Sequence, residues 1–467
     1  MGNQIGVCAI GFAFANYNNQ GSMSLFKNYK SGLESVLSRS GQSLQKGWSS
    51  PYVLLNESTK TFSSVPTTIE PNSKTILDFD SNQLQKYFGP NKYSFDKVTI
   101  GNHPDFEYLE ENQMLKHHCV SMFIDIKGST RLALKYSLEE VRLIKDTLLT
   151  LCINVVSHFG GHVHRLQGDA AFVQFVRKDS NPSDSIINAL NAASVLCQAV
   201  SEDLSSAFVN YGLDPIKIRV GIDYGSDEEV MWSHYGIANC NELTTTSLHT
   251  DLAAKLQHKA SVNSIRIGKN LVDAIEMKED YISTPRIIKN GEYVDDRYII
   301  QSPDFSYRQF DFNWKKYLNS FSFYKQNGSG KLEIFDNPFT LKAMVYQPEK
   351  EYNSSLYFEN SYAILKGRLI KYQLMYNGSE YHRKHYETIT WEAYNYGKEA
   401  VKAKDLHHNF ERKFVNKTHC IAHAGYQGNH YLKCTIKRTH SDNIILKFPI
   451  YVDDEWDSDI DIKSLLN

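Results

Sequence analysis

One eight-residue run constrains this chain more than any other feature: Cys119-Val-Ser-Met-Phe-Ile-Asp-Ile126. It is apolar almost throughout and is ended by Lys127-Gly128, so it predicts a strand buried within a sheet. A charge inside such a run is costly unless a partner or a metal meets it. Asp125 is that charge, so the predicted founding strand also carries a candidate functional group.

The segments that follow supply what such a sheet needs. Residues 138–159 place apolar side chains at Val141, Ile144, Leu148, Leu151 and Val155, which is helical spacing, and Gly160-Gly161 closes the helix. HVHRLQ (162–167) and AAFVQFV (170–176) flank Gly168-Asp169, the pattern of a hairpin with a two-residue turn. A second amphipathic helix is predicted over 186–208 and a strand over IKIRVGIDY (216–224). A short helix over 248–258 and a strand over 264–267 come next. Strands alternating with helices predict an α/β sheet covered by helices.

At 467 residues the chain is too long for one ordinary domain. We read 1–112 as a region without a chemical motif, built of short strand-like pieces such as 52–55. Residues 113–300 form the domain just described, and 301–335 a linker ending in Asn327-Gly-Ser-Gly330. In 336–452 short alternating strands, ITWEAYNY (389–396), HYLKCTIK (430–437) and IILKFPIY (444–451), predict an all-β sandwich. An acidic tail occupies 453–467 and reads as solvated.

Lys plus Arg is 51 and Asp plus Glu is 53, a net charge of −2. That balance excludes a broad DNA- or RNA-binding surface, which must neutralise many phosphates, but leaves room for one basic pocket. No apolar run reaches membrane-spanning length, so no membrane partner is expected. Residues 5–15 are mildly apolar without a positive flank, which predicts a buried first strand rather than a signal peptide. The seven cysteines are scattered and never form a CxxC pair. They read as core residues of a cytoplasmic protein, not as a disulfide framework or a zinc site.

Asp125 and Asp169 are the candidate catalytic pair. A strand end and a hairpin turn can bring two carboxylates together, where hard cations such as Mg²⁺ bind. Gly128, Ser129 and Thr130 then offer backbone N–H groups at a strand-to-helix turn, which suits phosphate.

FIDIKGST (123–130), LQGDAAF (166–172) and IRVGIDYG (218–225), in that order and spacing, resemble the catalytic domain of class III nucleotide cyclases. The likeness covers about 115–300. It implies an α+β fold, an α/β sandwich of the ferredoxin-like class III cyclase type, ahead of the C-terminal sandwich-like domain. It implies two divalent ions, Mg²⁺ or Mn²⁺, held by Asp125, Asp169 and the Ile126 carbonyl. The 3′-oxygen of a nucleoside triphosphate would attack its α-phosphorus. Where adenylate cyclases carry a base-reading Lys, this chain has Arg165, and the partner position falls on Thr244. Arg is longer, with a planar fork of donors, and suits O2 and N3 of a smaller base such as cytosine. The Thr244 hydroxyl donates or accepts and so does not separate cytosine from uracil.

The family's transition-state helix aligns with Thr250-Asp251-Leu-Ala-Ala-Lys255, so Asp251 stands in place of Asn and Lys255 in place of Arg. Without the family these two are an i,i+4 ion pair. The resemblance implies head-to-tail homodimers in which one chain supplies the metal carboxylates and the other the base and transition-state groups. Lys289, before Asn290-Gly291, is a candidate cation for the triphosphate tail.

ITWEAYNYGKEA (389–400) and AGYQGNHYLKC (424–434) resemble a sensor-like β domain found behind bacterial cyclases and signalling nucleotidyltransferases. Its recurring residues here are Trp391, Asn395, Gly397, Gly428, His430 and Cys434, and Trp391, Tyr394 and Cys434 also read as sandwich core. Together these features resemble the bacterial pyrimidine cyclases of the Pycsar antiphage system. The resemblance implies a cytidylate cyclase making cyclic CMP for a separate effector. A uridylate cyclase, an adenylate or guanylate cyclase and an inactive nucleotide receptor are the alternatives.

Overall fold

The computed structural model describes residues 24–44, 79–347, 350–439 and 441–454. The first strand expected in 5–15, the piece at 52–55, Cys8 and most of the acidic tail lie outside these residues. The chain opens with α1 (Lys27–Leu44) and α2 (Asn82–Phe88), followed by β1 (Met114–Lys116) and β2 (Cys119–Ile126). Next come α3 (Ser129–Lys135), α4 (Leu138–His158), β3 (Gly161–Gln167), β4 (Ala170–Phe175), α5 (Pro182–Gln198) and α6 (Ser205–Asn210). Then follow β5 (Ile218–Gly225), β6 (Met231–Ile237), β7 (Cys240–Thr246), α7 (Leu248–Lys259), β8 (Ser264–Gly268) and α8 (Lys269–Ala274). The core closes with β9 (Ile282–Ser283), β10 (Arg286–Lys289), β11 (Glu292–Asp295), β12 (Tyr298–Gln301), β13 (Ser306–Phe312) and α9 (Trp314–Leu318).

The run β2–α4–β3–β4–α5–β5 is a split βαββαβ unit whose strands lie in the order β5-β2-β4-β3. These neighbours all pair antiparallel, whereas β8 joins β5 parallel and β13, β12 and β9 extend that edge. The sheet is therefore α+β, as the family resemblance implies, rather than the doubly covered α/β sheet that alternation alone suggests. The reason lies in side-chain alternation. Val120, Met122, Ile124 and Ile126 of β2 point into the core that α4 and α5 cover, while Phe123 and Asp125 stay half-buried on the opposite face.

Local sequence sets the helix that begins this core. The Ser137 hydroxyl accepts from Glu140 N at 3.2 Å, and the Glu140 carboxylate accepts from Ser137 N at 2.8 Å, a capping box that starts α4. The helix predicted over 186–208 is interrupted: α5 ends at Gln198, residues 199–204 wind as a π turn, and α6 continues. The N-terminal region is helical where it is described. Leu25, Phe26, Tyr29 and Leu33 enter the main core, and the Tyr29 hydroxyl donates to the Thr147 carbonyl at 2.6 Å.

The segment 301–335 is not a linker. β13 pairs with β8 inside the main sheet, and Phe310, Phe312, Trp314, Tyr317, Phe321 and Tyr324 are core residues. Arg266 of β8 is buried and pairs with Asp311 of β13 at 2.9 Å. The aromatic rings of this segment are core, because rings of this size bury large apolar areas. Asn327 to Gly330 form only the turn of a small hairpin.

Beyond it, two five-stranded sheets pack face to face. Trp391, Tyr372, Cys434 and Phe448 are buried between them. The Trp391 indole donates to the Lys417 carbonyl at 3.0 Å. Among the described residues no helix is long and apolar enough to cross a membrane.

One buried carboxyl ties the core to this sandwich. Glu359 accepts from Ser322 N at 2.7 Å and from the Ser322 hydroxyl, and burial pushes it up to about 8. A raised native value means that the folded state keeps its proton while the unfolded chain releases it near 4.5. Its contribution is present at low pH and is lost as pH rises towards 8. Glu359→Gln keeps an acceptor and cannot titrate. Thermal melts between pH 5 and 8.5 are therefore expected to show a shallower decline for Glu359→Gln, with a gap of about 3–6 °C at the alkaline end.

Candidate active site

Asp125 ends β2 on the half-open face of the sheet, and Asp169 sits in the β3–β4 turn with Gly168 at φ 66°. The pairing of β2 with β4 brings these two carboxyls against each other. Asp169 leans on the Ser129 hydroxyl and lies 3.5 Å from the Lys145 ammonium, yet its Oδ2 is buried without a hydrogen-bond partner. Burial raises its carboxyl above the ordinary value and the Asp125 charge raises it further, while Ser129 and Lys145 oppose the rise.

Asp125 is better supplied. Its Oδ2 accepts from Arg219 of β5 at 2.5 Å and from the Gln257 amide of α7 at 3.1 Å. Arg219 faces Asp125 directly in the β2–β5 register and donates its other arm to the His258 carbonyl at 2.8 Å. Gln257 reaches Asp125 because α7 presses on β5 at Gly221. A Cβ there would sit 2.1 Å from Gln257 N and 2.3 Å from the Ala253 carbonyl oxygen. The start of α7 is pinned from below. His249 Nδ1 lies 3.0 Å from the fully buried Asp223, which also accepts from the Tyr307 hydroxyl at 2.9 Å.

The other predicted residues divide into three groups. Gly128, at φ 83°, starts α3, and Ser129 and Thr130 form its first turn beside the carboxylates. Asp251 and Lys255 lie exposed on α7, and no ion pair joins them, so the bland i,i+4 reading does not hold. Arg165 and Thr244 lie on β3 and β7, on strands other than the one that bears Asp125. Lys289 is exposed in the β10–β11 hairpin, which is not part of the main sheet.

Three residues escaped the sequence reading: Arg219, Lys145 and Glu242. Arg219 had a signal, since it is a basic residue inside an apolar strand, where a charge needs a partner. Glu242 had none; it pairs with Arg165, and its second oxygen lies 3.1 Å from His164 Nε2.

The comparisons bear on this arrangement. Curated proteins named cytidylate cyclase match most of the chain. One from Staphylococcus aureus is 39% identical over 356 residues, spanning 75% of this chain and 82% of the relative. One from Escherichia coli is 35% identical over 367 residues, 76% of each. The chain belongs to the cytidylate cyclase family. It is a nucleotide cyclase. The model of the Adenylyl/Guanylyl and SMODS C-terminal sensor domain matches residues 312–453, from the last residue of β13 onward. Among solved structures, the Pseudomonas aeruginosa adenylyl cyclase CyaB gives a TM-score of 0.36 at 18% identity, covering 43% of this chain and 95% of that one. The guanylyl cyclase Cya2 gives 0.34 at 17%, covering 44% and 94%.

Two carboxylates forced together cost stability once both are charged. Because the Asp169 value is raised, that cost grows as pH climbs through the ordinary carboxylate range. In a chelating buffer at pH 7.5, Asp169→Asn is expected to raise the melting temperature by about 2 °C, and in Mn²⁺ the same variant should be inactive. Scanning calorimetry checks it, and a drop would show that the pair is not repulsive.

Proposed function

We propose that this nucleotide cyclase converts CTP to 3′,5′-cyclic CMP and pyrophosphate at a site shared by two copies of the chain. The observation that carries the reading is the Asp125–Asp169 pair, with one buried oxygen left unpartnered. That donor set fits a divalent cation: two hard oxygen ligands, mutually repelling, on a half-open face. Asp125, Asp169 and the Ile126 carbonyl would hold two such ions, Mg²⁺ or Mn²⁺. Bound there, they supply the positive charge that acidifies the 3′-hydroxyl and offsets the triphosphate. Arg219 and Lys145 orient the two carboxylates.

The remaining groups bind and orient. The Gly128–Thr130 turn aims backbone N–H groups at phosphate. The substrate's 3′-oxygen attacks the α-phosphorus, the bond to pyrophosphate breaks, and the hydroxyl proton leaves to solvent. The exposed Lys255 of a second copy neutralises the α-phosphate, and Asp251 beside it binds the sugar. Arg165 of that copy donates to O2 and N3 of cytosine, with Thr244 at its side. Support for the pyrimidine comes from the relatives' names and from the fork of Arg165. In the cell the product serves as a cytoplasmic second messenger of antiphage defence that activates a separate effector, and the C-terminal domain senses the trigger.

Purified protein given each of the four ribonucleoside triphosphates with Mn²⁺ is expected to yield cyclic CMP by mass spectrometry. Asp125→Ala should lower that rate at least 100-fold with an unchanged far-ultraviolet spectrum. Product from ATP or GTP alone would refute the pyrimidine reading.

The shared site has its own test. Asp125→Ala and Lys255→Ala chains are each expected to be inactive, yet an equal mixture should recover about a quarter of wild-type activity, since half the dimers then hold one intact site of two. No recovery after subunit exchange would place all the groups within one chain.

A further inference from the structure

We infer that Glu242, rather than Thr244, is the residue that selects cytosine over uracil; this rests on Arg165 being the base reader. Arg165, Phe172, Phe123 and Gly221 face one another across β3, β4, β2 and β5, so Arg165 stands on the face that carries Asp125. Glu242 stands two residues before Thr244 on β7, hence on the same side of that strand. One oxygen of Glu242 pairs with Arg165 and the other lies 3.1 Å from His164 Nε2. His164 is only 1% exposed, and its Nδ1 lies 3.0 Å from the Gly101 carbonyl, so it is a fixed support.

The pair remains accessible. Arg165 is 53% exposed and Glu242 35%, so each carries hydrogen-bonding capacity that its neighbours do not use. A carboxylate offers about four lone-pair sites and a guanidinium five donors. Side by side they present donors next to an acceptor in fixed order.

That order matches cytosine. Its O2 and N3 accept, which suits Arg165, and its 4-amino group donates, which suits Glu242. Uracil reverses both inner positions: O4 would meet the carboxylate oxygen and N3–H would meet the guanidinium. Both mismatches are repulsive and leave polar groups unpaired, the kind of misfit that discriminates strongly. Adenine presents the same amino-and-acceptor edge as cytosine. The pair therefore divides amino bases from keto bases, and the choice of pyrimidine over purine belongs to pocket size. The Thr244 hydroxyl serves either base equally.

The test is the ratio of kcat/KM for CTP to that for UTP, measured with the full-length protein and Mn²⁺. Glu242→Gln is isosteric, and its amide can turn a donor towards O4, so its ratio is expected to fall at least tenfold, with no gain for ATP. Glu242→Ser, with an ambivalent hydroxyl, should lower the ratio in the same direction. Thr244→Ala should leave it within threefold of wild type. Loss of folding or positioning alone would reduce both substrates together. A ratio unchanged within threefold in both Glu242 variants, whatever their rates, overturns the inference. If the wild-type protein forms no cyclic CMP, the base reading itself has failed, and that result is seen before any variant is compared.

Discussion

The rest of the molecule is arranged around two like charges held where they repel. Asp125 ends a strand that hydrogen-bonds to β4, and Asp169 begins the turn that feeds β4, so the sheet's own register fixes their approach. Neither can retreat. β2 is buried on its other face by the main core, and the Asp169 turn is clasped by Ser129 and Lys145. Arg219 meets the charge of Asp125, and one oxygen of Asp169 is left buried without a hydrogen-bond partner.

The cyclase core and the C-terminal β domain are packed against each other: Ala363 and Tyr451 join the main core, while the sandwich keeps a second core of its own. α5 is buried along its whole length, because the sheet, α9 and the β domain close around it. Asp184, near its start, accepts from Ala363 N at 2.5 Å and from the Tyr93 hydroxyl, with the Lys92 ammonium 3.2 Å away. Three regions distant in sequence thus meet at one buried carboxyl. On the far side Glu276, just beyond α8, accepts from Lys398 N and pairs with its ammonium at 3.0 Å. From α8 the Asn270 amide contacts His249 at 3.0 Å, at the start of the helix that bears Asp251 and Lys255. Hydrogen bonds thus join the β domain to the end of α8, and α8 to the start of α7.

Much of this was legible in the chain. A continuous apolar run gave β2, the hairpin pattern gave β3 and β4, and helical spacing gave α4, each close to its observed bounds. The Gly168-Asp169 turn was readable because a two-residue hairpin demands a left-handed backbone there. The carboxylate pair followed from an acid inside an apolar run. The segment 301–335 was misread because its Asn-Gly-Ser-Gly turn signals a boundary as readily as a tight hairpin. Whether its aromatic rings find a core depends on what surrounds them.

By itself the sequence determined the elements of the core, the antiparallel unit that its motifs resemble, and the two acids that the sheet brings together. Those are properties of single segments, set by spacing and by the cost of burying charge. Tertiary structure alone decided that Arg219 faces Asp125, that Gln257 reaches it because Gly221 lets α7 approach, and that Arg165 pairs with Glu242 rather than Thr244. Each of these joins residues at least 36 positions apart along the chain. Their meeting is fixed by sheet register and helix packing, and neither leaves a mark on the local pattern of either partner.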